Sequence, residues 1–230
     1  MKQIKGIWFP DSDTHFETAI DGDGNYQKEQ FQAVLKYIKP EDRGLFIDVG
    51  AHVGLWSRMA MRNGFRKFIC FEPDPENFEC LLENFEIVKR KNRLLYEFAL
   101  SDEVKMYDMK DEKSDNSGAK ILEEVEFSEE ATQIFDVLAC LSPSEYRMNT
   151  FEGIDFESLK GKILIKIDVQ GYEAKVVRGM TNFIKEYKPI IIVEQMYNQK
   201  QDLEATEYLQ SLGMKVLETI HKEVILGYDK

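Results

Sequence analysis

The regular alternation of short apolar segments with helical segments constrains the fold of this 230-residue chain more than any other feature. Segments rich in Ile, Leu, Val and Phe predict buried strands over residues 45–49, 67–72, 94–99, 163–168 and 189–194. Helices are predicted between them, starting near residue 55 and covering residues 75–85 and 173–187. Because strands connected by helices pair in parallel, the pattern predicts a doubly wound, mostly parallel α/β sheet with both faces covered.

The C-terminal residues predict an exception to this parallel order. A helix over residues 202–212 ends at Gly213, and two strands follow over residues 214–220 and 223–227. The gap between these strands is too short for a crossover connection, so they must pair antiparallel. We therefore expect the sheet to end in a C-terminal antiparallel strand pair.

Two stretches lie outside the alternation of strands and helices. Residues 1–40 form an N-terminal segment, and residues 101–161 form an insertion between core strands. Within the insertion, a hairpin strand is predicted over residues 104–109, whereas residues 121–150 show no clear period. Such an insertion is a natural place for substrate contacts or a lid. Because no linker or repeat separates these parts, we interpret residues 1–230 as a single domain.

The charge balance and residue counts disfavour several classes of partner. The net charge is −12, and an acidic surface repels nucleic-acid phosphates and anionic lipids. No apolar run reaches the ~18 residues that a membrane-spanning helix needs. Three cysteines without paired spacing, and no signal peptide, favour a reducing compartment. We therefore expect a cytoplasmic protein without a nucleic-acid or membrane partner, and no metal site.

A glycine turn follows the first buried strand and precedes a helix. Its glycines, Gly50 and Gly54, are spaced G-x-x-x-G rather than the G-x-G-x-x-G that cradles a dinucleotide pyrophosphate. Glycine at such a turn lets a ligand approach the backbone. The candidate cofactor contacts in this turn are Asp48, Gly50, Ala51, His52 and Gly54. His52 either acts as a base or fixes the loop, and the second role is favoured.

Glu72 provides a second signal at the end of the neighbouring strand. It lies 22 residues after Gly50, where an acidic side chain can accept hydrogen bonds from ribose hydroxyls. Pro73 and Pro75 fix the turn that follows. The alternative is that Glu72 is an exposed strand-end carboxylate without a role.

Two later strands also end in carboxylates. Asp168 and Glu194 close the strands over residues 163–168 and 189–194, and ligands of open α/β sheets bind at such strand ends. Lys166 lies on the same strand face as Asp168, so it is either an ion-pair partner or a catalytic lysine. Asp168 and Glu194 are the candidate proton acceptors. A metal ion shared by these two carboxylates is not favoured.

Four motifs occur in order along the chain. They are DVGAHVG at residues 48–54, FEPD at 71–74, ALSD at 99–102 and KIDVQGYE at 166–173. Together they resemble the FkbM family of methyltransferases over about residues 42–195. The resemblance implies a Rossmann-like methyltransferase sheet that uses S-adenosylmethionine. It also implies methyl transfer, typically to a hydroxyl oxygen of a sugar or a natural product.

The resemblance adds residues to the predicted site and shows one departure. It implies that Pro73, Ser101, Asp102 and Asp168 join the cofactor contacts, and that residues 116–118 (Asn-Ser-Gly) form either a motif or a surface turn. Members of the family often carry Glu where this chain has Gln170, which would weaken a base or metal ligand there. Near the N-terminus, the segment Trp8-Phe9-Pro10 either covers the cofactor or staples the N-terminus to the domain.

The resulting hypothesis is an S-adenosylmethionine-dependent O-methyltransferase. Its candidate catalytic residues are Asp168, Glu194 and Lys166, and its partner would be a small-molecule or glycan hydroxyl acceptor. Two alternatives stay open. One is a non-catalytic protein that binds S-adenosylmethionine, which Gln170 makes worth testing. The other is a nicotinamide-dependent oxidoreductase, against which the missing G-x-G-x-x-G pattern counts.

Overall fold

A seven-stranded sheet with helices on both faces forms the centre of the computed structural model, which describes residues 1–103, 105–111, 116–124, 132–136, 156–159, 162–195 and 200–229. In chain order the strands are β1 (Lys2–Ile4), β2 (Ile7–Phe9), β3 (Leu45–Val49), β4 (Lys67–Phe71), β5 (Arg93–Tyr96), β6 (Ala99–Ser101), β7 (Lys105–Asp111), β8 (Lys120–Glu124), β9 (Thr132–Asp136), β10 (Ile163–Ile167), β11 (Ile190–Glu194), β12 (Lys215–Ile220) and β13 (Glu223–Gly227). The helices are α1 (Phe16–Ala19), α2 (Lys28–Leu35), α3 (Leu55–Arg62), α4 (Pro75–Asn84), α5 (Glu173–Gly179), α6 (Thr181–Tyr187) and α7 (Lys200–Ser211).

The order of strands in this sheet is β12-β13-β11-β10-β3-β4-β5. Strands β11, β10, β3, β4 and β5 pair in parallel, whereas β13 is antiparallel to both β11 and β12. The predicted doubly wound sheet with a C-terminal antiparallel pair is therefore confirmed. From β3 the chain runs outward to β5 and then returns to β10 on the other side of β3. Ligands of open α/β sheets bind at such a switch point, outside the carboxyl ends of the strands.

Alternate residues of the strands pack against different helices. Ile47, Ile165 and Ile191 face a cluster that includes Val176 of α5, Ile184 of α6 and Leu209 of α7. On the opposite face, the strand and helix residues that form a second cluster include Phe46, Leu164, Ile192, Phe31, Trp56 and Leu81. Burying one such side chain stabilises the fold by about 1.5–3 kcal/mol, so both faces hold the sheet in place.

Two predicted elements are each divided in the structure. The strand predicted over residues 94–99 is present, but it ends at Tyr96 as β5, and Ala99 begins β6 of another sheet. Between the two strands, Phe98 packs on the rings of Phe71 and Tyr96, at centroid distances of 5.6 and 5.1 Å. The helix predicted over residues 173–187 is present over the predicted range, but as two helices rather than one. It divides into α5 and α6 at Met180, directly after Gly179, a residue that weakens helix interiors.

The insertion contains a second sheet that the sequence did not predict. Its four strands lie in the order β6-β9-β7-β8, and β7 pairs antiparallel with β8. The predicted hairpin strand over 104–109 corresponds to β7, although Val104 lies outside the described residues. Strands β8 and β9 fall where the sequence shows no period, and residues 137–150 of that stretch also lie outside the described part. That residues 1–230 form one domain stays a prediction.

Candidate active site

A cavity of about 450 Å³ lies at the carboxyl ends of β3, β4, β10 and β11, at the switch point of the sheet. The predicted site residues that line it are Gly50, Ala51, His52, Glu72, Pro73, Lys166, Asp168 and Glu194. Four other predicted residues are not among its described lining residues. Asp48 is fully buried, Gly54 caps α3, Ser101 is fully buried in β6, and Asp102 is exposed.

The two glycines of the turn after β3 have different structural roles. Both adopt left-handed backbone conformations, with φ of +72° at Gly50 and +86° at Gly54. A β-carbon on Gly50 would overlap the backbone oxygen of Asp168, so this glycine lets the turn touch the end of β10. A β-carbon on Gly54 would lie 2.7 Å from Leu81 of α4, so this glycine lets α3 pack closely on α4.

Glu72 is a buried acceptor in the cavity wall. Only 6% of the residue is exposed, and its carboxylate accepts hydrogen bonds from the backbone N–H groups of His52 at 2.7 Å and Asp74 at 3.0 Å. Burial raises the pKa of Glu72 to about 7, although these hydrogen bonds favour its ionised form. The alternative of an exposed strand-end carboxylate is therefore wrong.

His52 joins three segments of the chain. Its ring stacks on Phe16 with a centroid distance of 4.9 Å, and its Nε2 lies 2.6 Å from the hydroxyl oxygen of Ser117. The Ser117 hydroxyl donates a hydrogen bond to Asp13, so its oxygen accepts a hydrogen bond from His52. Burial lowers the pKa of His52 to about 4, which keeps the imidazole neutral at pH 7. This geometry supports the loop-fixing role, and it places Ser117 of the 116–118 segment in the wall of the cavity.

Lys166 is the centre of a buried ion-pair network. Its ammonium donates to the Gly50 carbonyl oxygen at 3.0 Å, and it lies 3.4 Å from Asp168 Oδ2 and 3.9 Å from Asp48 Oδ1. Burial disfavours the charged lysine, but attraction to Asp168 and Asp48 outweighs burial and raises the pKa of Lys166. Of the two predicted roles, the observed geometry is that of an ion pair. Lys166 thus connects the glycine turn to the end of β10.

Asp168 and Glu194 form a coupled pair of carboxyl groups beside Lys166. The negative charge of Asp168, followed by burial, raises the pKa of Glu194 to about 9. Burial opposes ionisation of Asp168, but Lys166 and hydrogen bonds with Glu194 and Gln170 outweigh it and lower the pKa of Asp168. These opposite shifts indicate that ionisation of both carboxyl groups together is disfavoured.

Gln170 bridges this pair. Its amide nitrogen donates to Asp168 Oδ1 at 2.9 Å and lies 3.4 Å from Glu194 Oε2. The backbone of Gln170 is left-handed, with φ of +54°. The turn is held by the Glu173 carboxylate, which accepts hydrogen bonds from the N–H groups of Val169 at 2.9 Å and Gly171 at 3.1 Å. A glutamate at position 170 would have no proton to donate to Asp168 when ionised.

Several lining residues were not predicted from the sequence: Phe16, Tyr26, Gln27, Trp56, Asn77 and Lys222. Tyr26 follows a turn-forming stretch of aspartates and glycines, in which no pattern marks a binding residue. The Trp8-Phe9-Pro10 segment is a staple rather than a cover, because the backbone of Trp8 exchanges two hydrogen bonds with the Asn84 amide, at 2.8 and 3.0 Å.

The described ranges of the chain contain neither a cluster suited to a metal ion nor a helix suited to span a membrane. There, no group of three or more His, Cys, Asp or Glu side chains is arranged to hold a metal ion. None of the helices in those ranges has both the length and the apolar character that crossing a bilayer requires.

Comparison with known proteins links this site to a family. The family model described as "Methyltransferase FkbM domain" matches residues 48–216. A methyltransferase FkbM from Methylobacillus flagellatus has a similar structure, with 14% sequence identity and a TM-score of 0.54. The similarity covers 87% of this chain and 58% of that protein, so this chain spans less than two thirds of its length. At this identity the likeness shows the Rossmann-like methyltransferase fold alone.

Two further solved structures are similar to this chain. One is a precorrin-6y C5,15-methyltransferase from Geobacter metallireducens, with 13% identity, a TM-score of 0.46 and coverage of 95% of this chain and 96% of the other. The second is a putative RNA methyltransferase from Pyrococcus horikoshii, with 12% identity, a TM-score of 0.45 and coverage of 86% and 79%. No curated protein sequence matches the chain.

Proposed function

This chain belongs to the FkbM methyltransferase family, and from that premise we propose that it transfers a methyl group from S-adenosylmethionine to a hydroxyl oxygen. The acceptor would be a sugar or another small molecule. The observation that carries this proposal is the coupled carboxyl pair of Asp168 and Glu194, which shares one cavity with the glycine turn and Glu72. The net charge of −12 favours such an acceptor over a nucleic acid.

The residues of the cavity fit S-adenosylmethionine. Gly50 lets the turn lie against the end of β10 in the cavity wall, and the buried Glu72 carboxylate is suited to accept hydrogen bonds from ribose hydroxyls. The ionised Asp168 would balance the positive charge of the ligand. When bound, S-adenosylmethionine supplies an electrophilic methyl group. Ala51, His52 and Pro73 would complete the contacts, because all three line the same cavity.

The chemical role of the protein is to orient the acceptor hydroxyl and take its proton. Asp168 is the ionised member of the carboxyl pair, and it would accept the proton that the hydroxyl loses. Lys166 and Gln170 hold the two Asp168 oxygens, at 3.4 and 2.9 Å, so that the carboxylate has a fixed orientation. We therefore propose Lys166 as a residue that positions Asp168. We propose Glu194, whose pKa is raised, as a neighbouring carboxyl group that is protonated while Asp168 is ionised.

Two measurements test the proposal. Calorimetric titration with S-adenosylmethionine and with NAD separates a methyltransferase from an oxidoreductase, and we expect binding of the first ligand alone. Incubation with methyl-labelled S-adenosylmethionine and a panel of sugars, polyols and phenols should then release S-adenosylhomocysteine and label an acceptor. Cofactor binding without label transfer to any of these acceptors would favour a non-catalytic binding protein.

A further inference from the structure

We propose that Tyr26 binds the methyl acceptor through its phenolic hydroxyl and selects acceptors that carry a second oxygen beside the methylated hydroxyl. This inference rests on the proposed function and extends it to acceptor choice. Tyr26 lies outside residues 48–216, the part of the chain that matches the family. It would therefore be a specificity residue that the N-terminal segment of this particular chain contributes.

The cavity follows the carboxyl edge of the sheet from β4 to β13, and we assign Tyr26 to the end near β13. The cofactor end is lined by Glu72 and Asn77, which follow β4. Glu194 and Lys222 line the acceptor end, which lies beyond Asp168 at β11 and β13. This assignment follows from the next residue along the chain, Gln27, whose amide donates to Glu223 of β13.

Gln27 anchors Tyr26 in this position. Its amide oxygen accepts a hydrogen bond from the Trp56 indole at 2.7 Å, and its amide nitrogen donates to Glu223 at 3.1 Å. The backbone of Gln27 has a φ of +52°, which is uncommon for a residue other than glycine and is maintained by surrounding contacts. The Tyr26 ring also packs edge-on against Phe16, with a centroid distance of 5.1 Å. The backbone at Gln27 and one edge contact with Phe16 therefore position the Tyr26 ring.

The hydroxyl of Tyr26 is available to a ligand. Within the described ranges of the chain it has no hydrogen-bond partner, whereas the Tyr37 hydroxyl bonds to Leu217 and Glu218. Burial, followed by the negative charge of Asp168, raises the pKa of Tyr26, so the phenol keeps its proton. A partly buried tyrosine hydroxyl usually has a partner. An acceptor oxygen adjacent to the hydroxyl held by Asp168 would provide one.

Matched alcohols and a matched pair of variants test this assignment. Dissociation constants are measured for cyclohexanol, cis-1,2-cyclohexanediol, phenol and catechol on protein saturated with S-adenosylhomocysteine. Wild type should bind each diol more tightly than the corresponding mono-alcohol. Tyr26→Phe should weaken only the diols, by roughly 3- to 10-fold, the range that one neutral hydrogen bond contributes. Tyr37→Phe is the control and should leave all four constants unchanged.

The outcomes separate this inference from the proposed function. Equal diol affinity in wild type and Tyr26→Phe would overturn it, as would a wild type that binds no diol better than its mono-alcohol. A larger loss of melting temperature in Tyr26→Phe than in Tyr37→Phe would also overturn it, because the hydroxyl would then serve the fold. Failure of S-adenosylhomocysteine to bind the wild type would remove the proposed function and this inference together.

Discussion

Gln170 donates a hydrogen bond of 2.9 Å to Asp168, and the same amide nitrogen lies 3.4 Å from Glu194. The two carboxyl groups are thereby held next to each other by one shared amide donor. The resemblance to the FkbM family implied that Gln170, where relatives often carry Glu, would weaken a base or metal ligand at this position. In the structure it is the donor that orders the pair.

Replacing Gln170 by Glu should therefore damage the site. The Gln170→Glu side chain, when ionised, adds a negative charge and removes the donor to Asp168, which we expect to cost about 1–3 kcal/mol of stability. Melting temperatures of wild type and variant at pH 6 and pH 8 measure this, and the loss should be larger at pH 8. Gln210→Glu, at an exposed position of α7, is the matched control. Equal melting temperatures for both variants and wild type would show that the bridge has no energetic role.

The carboxyl pair should also give the fold a specific pH dependence. The pKa of Glu194 is raised from its ordinary value of 4.5 to about 9, so folded Glu194 holds a proton that the unfolded chain releases. Its contribution to stability is fully present below about pH 4.5 and is lost as the pH rises toward 9. Glu72, raised to about 7, acts in the same direction. The free energy of unfolding should fall between pH 5 and 9.

Glu194→Gln isolates this effect. The variant cannot titrate at position 194, so its stability should change less over the same pH range than that of the wild type. Denaturant unfolding of both proteins across this range provides the comparison. Parallel pH profiles would contradict the coupling between Asp168 and Glu194.

Asp168→Asn should affect turnover more than folding. The substitution is nearly isosteric but removes the negative charge that we assign to proton acceptance, and general-base removal costs ~10²–10⁴ in rate. Turnover and S-adenosylhomocysteine affinity are measured separately. Asp102→Asn is the control, because Asp102 is exposed and is not among the described lining residues of the cavity. Full turnover in Asp168→Asn would leave Asp168 as only the ion-pair partner of Lys166.

The parts of the fold that the sequence predicts are those governed by local patterns. Apolar runs such as Leu45–Val49 and Ile163–Ile167 correspond to strands that are buried along their whole length. Polar residues at their carboxyl ends, such as Asp168 and Glu194, meet in one cavity because parallel strands end at the same edge of the sheet. Local sequence pattern and sheet geometry therefore suffice to predict the site residues that lie at strand ends.

The other site residues are positioned by contacts between segments that are distant in the sequence. Asp13 and Ser117 are separated by 104 positions and share hydrogen bonds, and no local pattern in either segment indicates this pairing. Tyr26 and Gln27 line the cavity, where Gln27 bonds to the distant residues Trp56 and Glu223. Such positions are set by packing of the whole chain, which propensity and periodicity do not describe.

The proposed methyl transfer depends first on the binding of S-adenosylmethionine in the cavity, with Glu72 as a hydrogen-bond acceptor. Because Glu72 also accepts two backbone hydrogen bonds, Glu72→Gln is a milder test than Glu72→Ala. The most direct measurement is calorimetric titration of wild type and Glu72→Gln with S-adenosylhomocysteine. We predict that wild type binds and that the variant, folded by its melting curve, loses about 1–3 kcal/mol of binding free energy. Absence of binding to wild type, or equal affinity of the folded variant, would contradict this account.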